Sequence, residues 1–261
     1  MKKALVILHG IMVALAAFFT VSLIYTLVIS IFVLITGIEQ VPTQVDYCLM
    51  VLAVMLAIIP IYLWYRRYIV SGEVEQAKAS DVFTIRNIGV FLMIGLGCQY
   101  FFVGILSVLR PLLETLFSYY DETMDSLFAT DPIIVAVYVV VLAPIIEELM
   151  LRGIVFSRLR KGLGFPLANV IQATIFAIYH WDVIQGAYAF ALGLVLAYVY
   201  EKTRTLLAPI LLHFIINASG FLLAVYKGPD IPIWLAIIVG GALLVGGVYL
   251  FDKSINEKNR K

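Results

Sequence analysis

Pro132-Ile133-Ile134-Val135-Ala136-Val137-Tyr138-Val139-Val140-Val141-Leu142-Ala143-Pro144-Ile145-Ile146-Glu147-Glu148-Leu149-Met150-Leu151-Arg152 is an apolar run into which two carboxylates and, one turn on, an arginine are set. Residues 132–151 suffice for one membrane crossing, which takes roughly 20 mostly apolar residues to cover ~30 Å of hydrocarbon. The rest of the 261-residue chain has the same character: 63% of residues are hydrophobic, 13% are charged, and the mean hydropathy is +1.03. A soluble domain carries about 25% charged residues, so this composition excludes one. Seven further apolar runs flank the quoted one, over residues 4–36, 45–69, 87–110, 166–181, 182–200, 206–226 and 232–251. The expected architecture is all-α: a polytopic integral membrane protein with about eight transmembrane helices around a water-filled polar cavity open towards the cytoplasm.

The fifth and sixth runs share only 35 residues with no obvious loop between them, so they read as a tight hairpin of short helices turning near Trp181 and Asp182. A turn at membrane depth must line protein or water, because lipid cannot satisfy its backbone. Between the third and fourth runs, Arg110 to Asp131 carries Glu114, Asp121, Glu122, Asp125 and Asp131. Pro111 opens this stretch and Pro132 starts the next helix, both suited to a first helical turn. A short helix over 112–127, lying near the interface, is expected there. Residues 252–261 read as a polar, fraying cytoplasmic tail. The whole of 1–261 reads as a single membrane domain whose motif-bearing core is 132–220.

Lys plus Arg (18) nearly balances Asp plus Glu (17), so no uniformly basic surface speaks for a nucleic-acid partner. The distribution of charge is more telling. Assigned to alternate loops, Lys2, Lys3, Arg66, Arg67, Lys78, Arg86, Arg152, Arg158, Arg160, Lys161, Lys202, Arg204, Lys253, Lys258, Arg260 and Lys261 fall on one side, and Arg110 and Lys227 on the other. The positive-inside rule then puts both termini in the cytoplasm. Lys2 and Lys3 ahead of an apolar run resemble a secretory leader, but the run continues to Ile35, too long for a signal core, and is expected to stay as the first membrane helix. Cys48 and Cys98 sit in apolar stretches at no metal or redox spacing and read as buried apolar residues.

An ionisable residue inside a span costs about 2.5–3.5 kcal/mol on insertion scales and so points to function by default. Glu148 and Arg152 stand at i and i+4, on one helix face, and can pair. Glu147 is turned about 100° away and faces a different neighbour. The plainer alternative is that the helix ends at Glu147 and both carboxylates are interfacial. In the fifth run Phe176 and His180 share a face, and in the seventh His213 and Asn217 do. His9 has no polar partner at helical spacing and reads as a solitary packed or hydrogen-bonded residue. Singly, an intramembrane histidine or asparagine is interhelical glue. Together, Glu147, His180, His213 and Asn217 are the acid, two bases and amide that water-activated peptide hydrolysis needs.

The ordered set Glu147-Glu148-xxx-Arg152, Phe176-xxx-His180 and His213-xxx-Asn217 resembles the CAAX prenyl protease 2 family, also called CPBP or Abi proteins, over roughly 132–220. The resemblance implies a glutamate intramembrane endopeptidase. Glu147 is then the general base on a water, His180 holds or polarises that water, and His213 and Asn217 stabilise the oxyanion. Glu148 and Arg152, with Phe176, support the site. The substrate implied is a membrane-associated peptide or a prenylated CAAX-type C-terminus. Non-proteolytic scaffolds or regulators and bacteriocin-immunity proteins share the resemblance. No cofactor is expected. Zinc on Glu147, His180 and His213 is the alternative, but the His-Glu-x-x-His signature is absent. A transporter using Glu147, Glu148 and Arg152 as an ion relay lacks paired broken helices in two related halves. Ala189, Gly193 and Ala197 form a small-residue stripe able to bring helices close, within the chain or between copies. Depth arithmetic puts Glu147 ~22 Å from residue 132 and His213 ~10 Å from 206, which agree, and His180 ~21 Å from 166, which is too far out.

Overall fold

The computed structural model describes residues 2–72, 80, 82–226 and 231–258, among which there is no strand. Lys78, Lys227, Arg260 and Lys261, and the side chains of Lys2 and Lys258, lie outside the described residues, so those charges of the topology argument have no structural placement. The helices are α1 (Lys2–Thr36), α2 (Thr43–Val70), α3 (Ile85–Leu109), α4 (Glu114–Phe128), α5 (Pro132–Arg160), α6 (Phe165–Tyr179), α7 (Val183–Thr203), α8 (Leu207–Tyr226) and α9 (Ile233–Lys258). The protein is an all-α, multi-pass membrane protein. Among the described residues seven helices, rather than the expected eight, are long and apolar enough to cross. The difference is α6, whose 15 residues span only about 22 Å. Its run is cut at the C-terminal side by Trp181, which takes φ +54 in the expected turn.

The chain divides into two compact units, residues 1–74 with 124–175, and residues 75–123 with 176–261. In the first, α1 packs on α2 and α5 through close approaches. A Cβ on Gly10 would lie 2.5 Å from Leu159 Cδ2, and one on Gly162 would lie 2.6 Å from Val6 Cγ2. The Tyr25 hydroxyl donates to Asp46 Oδ1 at 2.7 Å, tying α1 to the first turn of α2. His9 is not solitary: its Nδ1 accepts from Arg158 Nε at 3.2 Å and lies 3.1 Å from Arg158 Nη2. That partner is 149 residues away, beyond any helical spacing. The far side of α1 carries exposed Leu15, Phe19, Leu23 and Leu34, a surface that suits hydrocarbon and would aggregate in water.

α5 is irregular, and its sequence says why. Asp131 caps it, its carboxylate accepting from the Ile133 amide at 2.8 Å, with Pro132 at the first helical position. Pro144 has no amide hydrogen to give to the carbonyl four residues back, Val140, and its ring crowds that carbonyl. The turns that precede it, Ala136–Leu142, widen into π-helix, and a second π-helical stretch runs from Leu149 to Phe156. Between them, Ala143–Glu148 is regular α-helix carrying both carboxylates. Arg152 Nη1 donates to Glu148 Oε1 at 2.8 Å with both side chains fully buried. Ser157 Oγ donates back to the Arg152 carbonyl at 3.0 Å, five residues on, as the wider turn requires.

In the second unit α3 and α9 meet backbone to backbone. A Cβ on Gly97 would run into the Leu244 amide nitrogen, and one on Gly240 into that of Phe101, while Gly104 and Gly247 lie against the side chains of Ile237 and Ile94. Small residues let membrane helices gain dispersion contact where no hydrophobic drive separates them from lipid. The core beside this seam is Phe91, Ile94 and Cys98 with Leu192, Leu196, Leu212, Ile216 and Phe251. The Ala189, Gly193 and Ala197 stripe is buried within the chain, which accounts for its small residues without a second copy. Arg110 grips Asp121 of α4 with bonds of 2.7 and 3.0 Å and lies 4.5 Å over the Phe117 ring, so α4 is the expected short helix. Arg110's hydrogen bond holds the Asp121 carboxyl below its ordinary range.

The polar end of the chain does not fray at residue 252, because α9 continues to Lys258. Asp252 accepts from the Tyr198 hydroxyl and lies 3.5 Å from Lys202 Nζ, and Arg86 bonds Glu257 at 2.8 Å.

Two stability tests follow from these contacts. Arg152→Met, which strands a buried carboxylate, is expected to cost about 3–5 kcal/mol, and adding Glu148→Met should recover most of that loss. Thermal unfolding in detergent reads both. Gly240→Ala should lower the unfolding temperature by forcing α3 from α9. Gly89→Ala, which meets nothing within 4 Å, should be neutral or slightly stabilising.

Candidate active site

Glu147 and Glu148 are 8% and 0% exposed, and α5 runs on for three more turns to Arg160. The helix therefore does not end at Glu147, and both carboxylates are buried within the chain. The two acids differ in environment. Glu148 takes the Arg152 hydrogen bond, and Glu147, turned about 100° from it on the regular stretch between the π-helical segments, also lies within electrostatic reach of that guanidinium. Tyr138, on the same helix, stands within electrostatic reach of Glu147, and of Tyr47 and Tyr25 in turn.

The second unit holds Phe176, His180, His213 and Asn217. At the end of α6 the last turn tightens: the His180 amide bonds Ala177 O at 3.3 Å and the Trp181 amide bonds Ile178 O at 3.2 Å, i to i−3 rather than i−4. Beside this turn the His180 ring folds back on its own helix, Nδ1 standing 2.9 Å from the Phe176 carbonyl oxygen. A carbonyl can only accept, so Nδ1 carries the hydrogen. The neutral ring then presents Nε2 as an acceptor, the atom that would hold a water or bind a metal. The cap of α7 fixes the far side of the turn, Asp182 accepting from the Gln185 amide at 2.6 Å.

Phe176 is the hub of this cluster. Its ring centroid lies 4.8 Å from that of His180 and 6.1 Å from that of His213, both edge-on. Phe176 and His213 are 1% and 3% exposed, and Asn217 lies half-buried one turn along α8 from His213. The structure thus joins His180 and His213 through one aromatic ring, and Glu148 to Arg152, as separate arrangements in the two units. Sequence reasoning missed a buried polar pair on α6. Gln172 Nε2 donates to the Asn169 side chain at 2.8 Å and to its carbonyl at 3.1 Å. Two amides at i and i+3 in an apolar helix were the available signal. It also missed the Tyr188 hydroxyl bond to Gln99 Oε1 at 2.8 Å, which joins residues 89 apart.

Residues 129–219 match the family described as type II CAAX prenyl endopeptidase Rce1-like, and this stretch contains Glu147, Glu148, Arg152, Phe176, His180, His213 and Asn217. YdiL of Bacillus subtilis is 32% identical over 77 residues, covering 30% of this chain and 32% of YdiL. The membrane-embedded CAAX protease MroQ of Staphylococcus aureus is 28% identical over 86 residues, 31% of this chain and 35% of MroQ. The matched part of the chain spans about a third of the length of these curated relatives. No solved structure gives a match. The similarity to Rce1-like type II CAAX prenyl endopeptidases thus lies in residues 129–219.

Proposed function

We propose that this protein is an intramembrane endopeptidase that hydrolyses a peptide bond with water activated by Glu147. The observation that carries the reading is a carboxylate buried in a membrane helix beside a second carboxylate whose charge is already answered by Arg152. Glu147 takes a proton from water, and the oxygen attacks the scissile carbonyl carbon. The carbon–nitrogen bond then breaks as the proton passes to the departing amine. His180 accepts from that water through Nε2. His213 and Asn217 donate to the oxyanion, the role that preorganised donors play in acyl transfer. In this reading the base, water ligand and oxyanion donors are these four side chains, and no metal is invoked. The substrate class is a membrane-associated peptide, with a prenylated CAAX-type terminus as one member.

The test is a comparison of peptide termini in membranes that hold the wild type or Glu147→Gln, by mass spectrometry. Termini dependent on the glutamate are expected, and with a substrate so identified Glu147→Gln should slow turnover by about 10²–10⁴-fold. A wild-type rate in Glu147→Gln, or activity that leaves with chelated zinc and returns with zinc alone, refutes the mechanism.

We further propose that both termini are cytoplasmic. Arg158, Arg160 and Lys161 precede α6, and Lys202 and Arg204 follow the turn and α7, which puts the α6–α7 pair in and out on one face despite the shortness of α6. Reporters fused to each end should both read cytoplasmic, and opposite readings would exclude the arrangement.

A further inference from the structure

In the first unit the described charges are sorted end from end. Glu39, Asp46, Asp125 and Asp131 lie where α1 finishes and α2 and α5 begin. At the other end stand Lys3, Arg66, Arg67, Arg158, Arg160 and Lys161, with no carboxylate among the described residues there. These cations come from three helices whose ends touch. Gly10 and Val6 of α1 pack on Leu159 and Gly162, the Arg158 guanidinium lies on His9, and Lys161 Nζ stands 5.6 Å over the Tyr68 ring of α2.

Arg158 is the informative member. Its Nε donates to His9 Nδ1, a neutral acceptor, so the bond orients the guanidinium without cancelling its charge. Nη1 has no protein acceptor among the described residues, and Lys3, Arg66 and Arg67 are exposed with no carboxylate partner among them. A concentration of like charge at converging helix ends is self-repelling, and an external anion relieves it. The neighbouring apolar flank of α1, with Leu5 and Leu8 exposed, says what carries that anion, since a headgroup phosphate arrives with acyl chains that cover such a surface.

We propose that this basic end of the first unit is a binding site for anionic phospholipid, with the phosphate held by the His9-oriented guanidinium of Arg158 and by the Arg66–Arg67 pair. The inference does not depend on proteolysis. It is tested on the full chain in mild detergent, by native mass spectrometry with phosphatidylglycerol or phosphatidylcholine added. Preferential retention of phosphatidylglycerol is expected. Arg158→Gln and Arg67→Gln should each weaken it roughly five-fold, the worth of one cation near a charged lipid, while Arg86→Gln in the second unit leaves it unchanged. Unfolding temperatures of the variants separate loss of binding from loss of fold. Equal retention of the two lipids, or wild-type retention in both Arg158→Gln and Arg67→Gln, overturns the proposal. So does displacement by millimolar inorganic phosphate, which would make this a site for the free ion.

Discussion

The buried pair of Glu148 and Arg152 is the constraint on which the middle of this molecule turns. Two opposite charges with no exposure have left water, and removal of either would leave the other stranded at a cost of several kcal/mol. Their bond spans the junction where regular helix gives way to the second π-helical stretch, so it fixes the helix where its geometry changes. The neighbouring carboxylate inherits its direction from that anchoring. Position along a helix sets the angle between adjacent side chains, and Glu148 can reach its arginine on one face only by turning Glu147 towards another.

The histidine cluster of the second unit obeys a different logic. There the ordering element is a bond from ring to main chain: beside the tightened last turn of α6 the imidazole donates to the Phe176 carbonyl. Backbone geometry thereby sets a side-chain tautomer, and with it which nitrogen is open to chemistry. Phe176 contributes shape to the same place by meeting both imidazole rings edge-on. In the proposed hydrolysis these are the features that would keep a water ligand in one orientation without spending a second charged group inside the bilayer.

Much of this was legible in the amino-acid sequence because a membrane simplifies the code. Apolar length fixed the helices, and each of the eight runs corresponds to one helix. The i, i+4 spacing found the Glu148–Arg152 contact, and the same spacing joined Phe176 to His180. What was illegible has physical reasons. The sixth helix, α6, is too short at 15 residues for a full crossing, and the left-handed residue Trp181, which hydropathy does not register, stops it there. The end of α9 looked like a fraying tail because it is polar, and its contacts lie far off in sequence: Asp252 and the still exposed Glu257 have partners on α7 and at the start of α3. His9 and Arg158 meet across 149 residues, and no local pattern carries that information. The roles of Glu147, His180, His213 and Asn217 stand as a proposal drawn from their chemistry and from the family resemblance.

The hydrogen bond from the His180 ring to the Phe176 carbonyl has a corollary for mutational work. Its acceptor is main chain, so no codon change at position 176 deletes it, and a scan there samples the ring's bulk alone. The turn that places the ring is set just beyond it, where Trp181, 92% exposed, takes the left-handed conformation that ends α6.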